Sequence, residues 1–270
     1  MAQAQTAKSA KKGFTLPAFV VIIVALIVSE LIFHFVFGDA SHFKDSLKKE
    51  PKPGDYMGII YKGGFIVPFL MTMFLVVITF AIERYLTIGK AAGTGNLETF
   101  LQNVKTKLAA NDISGAMAEC DKQKGSVANV VQAGLRKYAE MEKNTELEGE
   151  KKVLAIQQEI EESTALELPS LEQNLTVIAT IASVGTLIAL LGTVIGMIKA
   201  FAALATSGTP DPAALATGIS EALINTALGI FTSALAIIFY NLFTSKIDKL
   251  TYGIDAIGYS LTQSFASRKH

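Results

Sequence analysis

Four apolar stretches, residues 16–37, 64–82, 175–198 and 213–243, decide most of what this chain can become. Each supplies the roughly 20 mainly apolar residues that a helix needs to cross a hydrocarbon layer about 30 Å thick. Inside that layer a helix satisfies its own backbone polar groups, so the stretches are expected to be helical spans. Half of the residues are hydrophobic and only 18% are charged, as a multi-pass protein with a sizeable soluble portion requires. The 24 basic and 24 acidic residues cancel, so no global field points to nucleic acid or to an acidic partner. The single cysteine, Cys120, excludes an internal disulfide and a multi-cysteine metal site, and is expected to be a small half-buried residue.

The first stretch follows Lys8, Lys11 and Lys12 but is longer than an ordinary signal segment and ends in no small-x-small cleavage site, so it is expected to be retained. Residues 83–174 are too long for a turn and form a domain of helices. Asn96 caps NLETFLQNVKTKLAAN, where Leu97, Phe100, Leu101, Val104 and Leu108 fall at helical spacing. Asp112 caps ISGAMAEC, and SVANVVQAGLRKYAEM carries Val127, Val130, Val131, Leu135 and Tyr138 on one face. The charged stretch ELEGEKKVLAIQQEIEESTALEL is expected to kink or end at Pro169.

The 11 Lys and Arg between Arg84 and Lys152, the 4 from Lys246 onward and none in the 206–218 loop put the large domain and the C-terminus in the cytoplasm. Parity then sets the amino terminus on the same side, although the 38–63 loop holds five lysines against three before the first span. The chain thus reads as an all-α membrane protein with four transmembrane helices, long helices extending from them into a cytoplasmic helical domain. Its segments are a cytoplasmic tail (1–15), an additional span (16–37), a periplasmic loop (38–63), a span (64–82) and the cytoplasmic domain (83–174). Two pore-lining spans (175–204 and 213–245), joined by a periplasmic loop (205–212), and a cytoplasmic tail (246–270) complete it.

In lipid, helices associate through close backbone approach, so rows of small residues mark their contacts. The third span carries Ala182, Gly185, Ala189, Gly192 and Gly196, and the fourth Gly218, Ala222, Asn225, Gly229, Thr232 and Ala236. Two such seams across a short loop predict a tight α-hairpin. Asp211 and Pro212 resemble a helix start, which sets Glu221 nine residues in, roughly 13 Å along the axis at about 1.5 Å per residue. A charge near the bilayer centre costs on the order of 3 kcal/mol, so Glu221 is expected to face protein or water. Burial also tends to raise a carboxyl's titration point. Two readings stay open, a proton relay and a protonated packing residue bonded to a neighbouring helix. The hydroxyls of Thr176, Thr180, Ser183, Thr186, Thr193, Thr226, Thr232 and Ser233 either line a narrow polar path or bond back to their own helices.

Glu30 and His34, four apart, are expected to form a structural pair in the outer leaflet, with a second proton site as the alternative. Lys199 is expected to reach out to the interface, Pro68 to sit where a kink costs little, and His42 and His270 to be isolated. No phosphate loop, nucleophile elbow or zinc spacing is present, so no catalytic residue, metal or cofactor is assigned and the chain does not read as an enzyme.

IALLGTVIGMIKAF followed by GISEALINTALGIFTSALAIIFYNLF resembles the paired-helix signature of the MotA/TolQ/ExbB proton-channel family, nearest its ExbB/TolQ branch. FAIERYLTIGKA and NDISGAMAECDKQKGSVANVVQAGL are similar to that family's membrane-proximal region, and the likeness covers roughly residues 64–245. The resemblance implies an inner-membrane subunit of a motor driven by proton motive force. It implies a homopentameric ring around a dimer of a single-span ExbD/TolR-like partner, embedded in membrane lipid, with a TonB-like protein taking up the energy. It implies that Thr193, Glu221 and Thr226 border the proton path, with Asn225 beside them and the aspartate of the partner as carrier. An ideal helix sets Glu221 and Thr226 about 140° apart. Thr186 stands where the family commonly has a proline, and the first span and 38–63 loop have no counterpart in three-span members. That span either braces the outside of the ring or meets a lineage-specific partner. A TolQ-like envelope subunit, a gliding or flagellar stator subunit and a passive membrane scaffold are the alternatives, whereas a substrate transporter is disfavoured for want of an inverted repeat.

Overall fold

The computed structural model of the chain describes residues 17–44, 50–205 and 212–268. These are helical with no named strand: α1 (Ala18–Leu31), α2 (Tyr56–Tyr61), α3 (Ile66–Ala92), α4 (Leu97–Ala109), α5 (Ile113–Gln123), α6 (Gly125–Lys143), α7 (Gly149–Glu172), α8 (Leu175–Ala205) and α9 (Pro212–Ala266). Among the described residues four helical segments are long and apolar enough to cross a membrane, and each overlaps one of the four apolar stretches. The chain divides into two compact units, one of Met1–Ala81 with Thr176–Tyr240, the other of Ile82–Leu175 with Asn241–His270.

In the first unit α3 packs against α8 and α9 through Ile66, Leu70 and Ala189, with Ile188, Ile195 and Leu228 around them. α1 is fastened to α3 by polar contacts. The fully buried Ser29 hydroxyl lies 2.7 Å from Thr72 Oγ1 and 3.1 Å from the carbonyl of Pro68. Pro68 is the third residue of α3, where a missing N–H leaves no internal bond unmade. α1 runs on as a π-helix over Ile32–Phe37 and leaves Phe19, Val24, Ile27 and Phe35 exposed, as a lipid-facing surface would be. His42, expected to be isolated, instead has Nδ1 2.8 Å from Asp55 Oδ2. His270 and Asp211 lie outside the described residues.

In the second unit the predicted caps form. The Asn96 side chain accepts from the N–H groups of Glu98 and Thr99, and Asp112 from that of Gly115. Phe100, Val104 and Leu108 of α4, and Val127, Val130, Val131, Leu135 and Tyr138 of α6, are buried as their spacing requires. Cys120 is fully buried rather than half-buried. The segment 246–270, expected to be a tail, is helical as far as Ala266. It buries Ile247, Leu250, Ile254, Ile257, Leu261 and Phe265, a 3–4 spacing that marks one helix face.

Pro169 does not end its helix. α7 continues to Glu172, and the break falls at Asn174, whose φ of 64° is left-handed. That break frees the last carbonyls of α7, and Arg84, fully buried, takes two of them: Nη1 donates to Ser170 O at 2.9 Å and Leu171 O at 3.1 Å. The rest of its guanidinium is held by the Glu83 carboxylate through Nε at 2.6 Å and through Nη2. Thr87 donates to the same carboxylate at 3.2 Å. A buried cation is tolerated here because its donors and its charge are both met.

Candidate functional site

The two small-residue seams interlock. A methyl group at Gly196 would come within 2.8 Å of Gly218 O and 2.9 Å of Ala222 N, and one at Gly218 within 2.8 Å of Ala200. Gly229 abuts Ala189 and Gly185 O, and a methyl at Gly192 would lie 2.7 Å from Asn225 Cβ. α8 and α9 therefore approach backbone to backbone, which dispersion and weak polar contacts reward in lipid. α8 is continuous through Thr186, so the position where the family commonly has a proline makes no break here.

Glu221 is 6% exposed and has a partner the sequence did not reveal. Lys199, expected to reach the interface, has Nζ 2.6 Å from Glu221 Oε1. The carboxylate lies against Gly64, which has a φ of +77°, and the Lys199 ammonium stands 5.9 Å over the Phe65 ring. One turn further along α9, Asn225 is fully buried and donates through Nδ2 to Gly63 O at 3.0 Å, while its Oδ1 meets no donor among the described residues. Glu221 and Asn225, four apart, thus present one face of α9 to the Gly63–Gly64 turn that opens α3. A side chain at Gly64 would occupy the space of the carboxylate, which explains the glycine. The ion pair offsets the desolvation of Glu221, and the half-exposed Lys199 keeps contact with the surroundings.

Thr193 and Thr226 meet on another face. Their hydroxyl oxygens are 2.5 Å apart, and each also bonds back, to Ala189 O and Ala222 O, at 3.1 Å. Lower in the hairpin Thr186 donates to Ser233 at 3.0 Å. The structure therefore brings Thr193 to Thr226 and Glu221 to Asn225, Gly64 and Lys199, but it does not bring Glu221 to the threonine pair, in keeping with the 140° between them. Thr176, Thr180 and Ser183 are exposed, and Thr180 bonds back to Thr176 O. Thr232 is buried at the seam. Glu30 and His34 form the expected pair at 3.4 Å. Among the described residues no group of three or more His, Cys, Asp or Glu side chains is placed to hold a metal.

An all-α, multi-pass membrane protein is thus defined, whose last two spans interlock along small residues and join a buried carboxylate to a half-exposed ammonium and two threonines to each other. The sequence profile of the MotA/TolQ/ExbB proton channel family matches residues 122–256, half of the chain, and the chain belongs to that family. Among curated relatives it is 30% identical over 124 residues to the Tol-Pal system protein TolQ of Pseudomonas aeruginosa, covering 46% of this chain and 54% of that one. It is 39% identical over 84 residues to TolQ of Haemophilus influenzae, covering 31% and 37%. To the biopolymer transport protein ExbB of Pseudomonas putida it is 31% identical over 131 residues, covering 48% and 39%. The matches thus span about half or less of the length of these relatives.

Proposed function

We propose that the chain is an ExbB-like subunit of a proton channel in a bacterial inner membrane. It would couple proton motive force, with an ExbD/TolR-like single-span partner, to TonB-dependent transport across the outer membrane. In this reading copies of the chain form a ring, a pentamer by family resemblance, around a partner dimer that carries the titrating aspartate. α8 and α9 line the pore, and residues 83–174 lie in the cytoplasm. The observation that carries it is the buried Glu221, held by Lys199 within a hairpin of this family. Thr193 and Thr226 supply a hydroxyl relay, Glu221 borders the path from another face of α9, and Asn225 anchors α9 to the turn before α3. Proteins named TolQ match as well as those named ExbB, which favours a Tol-Pal role as the second reading.

The test is proton-motive-force-dependent uptake and envelope integrity in cells carrying Glu221→Ala or Thr193→Val, with ring assembly checked by native electrophoresis. Loss of uptake supports the ExbB-like role, and loss of envelope integrity alone the TolQ-like one. Full activity of both assembled variants would overturn the assigned residue roles. Co-purification of a single-span acidic partner separates the motor from a passive scaffold.

A further inference from the structure

The first span is the part of the chain that the proposed channel leaves unused, and it builds a site of its own. Between α1 with its π-helix, α2 and the start of α3 lies a cavity of about 370 Å³. Glu30, Phe33, His34, Tyr61, Gly64 and Phe65 line it. Glu30 and His34 are paired at 3.4 Å, with side chains 44% and 59% exposed, so both are open to the surroundings. His34 lies within the π-helix over Ile32–Phe37, an irregularity that is frequent at functional sites. Phe33 of the same segment stacks on Tyr61 at 4.7 Å and fixes its position.

The inner wall of this cavity is also the outer wall of the Glu221 site. Gly64 lines the cavity, and a methyl group on its Cα would lie 2.5 Å from Glu221 Oε1. Phe65 lines it as well, and its ring faces the Lys199 ammonium. Gly64, which has no side chain, and Phe65 are thus shared between the cavity of the carboxylate–imidazole pair and the Glu221 site. Tyr61 from α2 is the only other titratable lining group among the described residues, α3 contributes none, and behind the wall stand Glu221 and Lys199. A carboxylate beside an imidazole sets a proton acceptor and a proton donor side by side.

We infer that the Glu30–His34 pocket is a proton-collecting antechamber for Glu221, an external acid–base site supplied by the additional span. This rests on the proposed channel function. A proton from water binds the pair, leaves it for the cavity and is accepted at the Glu221 carboxylate, which restores the pair to its starting state.

The experiment measures initial proton influx into right-side-out membrane vesicles containing the full chain with its native partners, as the outer pH is stepped from about 5 to about 8. His34→Asn and Glu30→Gln alter exposed side chains and keep their size, and Glu221→Gln is run in parallel. The expected result is influx that falls on the order of tenfold in both pocket variants at the alkaline end and loses its inflection with outer pH. Influx abolished by Glu221→Gln but unchanged in rate and pH profile by His34→Asn and Glu30→Gln overturns the antechamber alone. Influx indifferent to Glu221→Gln overturns the channel reading and the antechamber with it.

Discussion

Replacing Gly64 by alanine tests the Glu221 site where it is tightest. The backbone there is left-handed, with φ at +77°. An L-residue in that conformation costs about 1–2 kcal/mol. The new methyl would sit 2.5 Å from Glu221 Oε1, so the carboxylate must retreat by about 1 Å to reach ordinary contact. That lengthens the 2.6 Å contact with Lys199 to about 3.5 Å, a loss of about 1.5 kcal/mol at an effective dielectric of ~20. Lys199 has a side chain 49% exposed, and solvent screening brings the loss to roughly 1 kcal/mol. Gly64→Ala is therefore expected to destabilise the folded state by roughly 2–3 kcal/mol. In a Glu221→Ala background the steric part disappears and only the backbone cost of about 1–2 kcal/mol remains. Reversible unfolding in mixed micelles, followed by circular dichroism over a denaturing-detergent titration, measures the four members of this cycle. Equal cost of Gly64→Ala in both backgrounds would show that the carboxylate does not rest on Gly64. A neutral Gly64→Ala in the wild-type background would refute the left-handed turn as well.

Three further outcomes are expected. Arg84→Met leaves the carbonyls of Ser170 and Leu171 without their donor and strips the Glu83 carboxylate of its charge partner. It should destabilise the protein by about 3–5 kcal/mol, whereas Glu83→Gln with Arg84→Met should recover part of that loss in the same titration. Burial, followed by the neighbouring Asp121 charge, pushes the Cys120 thiol up to about 12, so a maleimide should label it at neutral pH only after unfolding. The Gly115 N–H and then Lys107 hold Asp112 below the ordinary carboxylate value. Its contribution is thus complete at neutral pH and is lost as pH falls through that lowered value. Asp112→Asn should remove this acid-side loss, read as amide exchange at the start of α5.

Much of this was legible in local patterns. The caps at Asn96 and Asp112 and the two seams follow from periodicity and spacing, and the structure realises them. What escaped depended on register between distant segments. Lys199 and Glu221 are 22 residues apart, and their pairing follows only once the seams fix how far α9 slides along α8. The role of the Gly63–Gly64 turn as the seat of Glu221 and Asn225 needs the packing of α3. Pro169 does not end α7, because the end of that helix three residues later is held by the Arg84 donors. The helical continuation of α9 is written in the 3–4 spacing from Ile247 to Phe265, where interspersed charge gives the stretch the look of a tail.

The threonine pair offers the sharpest test of a relay, because its hydrogen bonds outnumber its protons. Thr193 and Thr226 have two hydroxyl protons between them, yet three contacts call for one: the back-bonds to Ala189 O and Ala222 O and the 2.5 Å contact between the two oxygens. Only two of the three are filled at a time. If Thr193 donates across the hairpin, Thr226 donates back to its own helix, and rotation of both hydroxyls reverses the roles. Two nearly equivalent arrangements of opposite polarity are what a relay needs in order to reset after passing a proton. Valine at either position removes the shared contact entirely, so Thr193→Val, Thr226→Val and the double variant should lower proton influx to the same extent, and serine at either should restore it. Losses that multiply in the double variant would mean that the two hydroxyls act separately. The relay would then be refuted, although both residues could still contribute to packing.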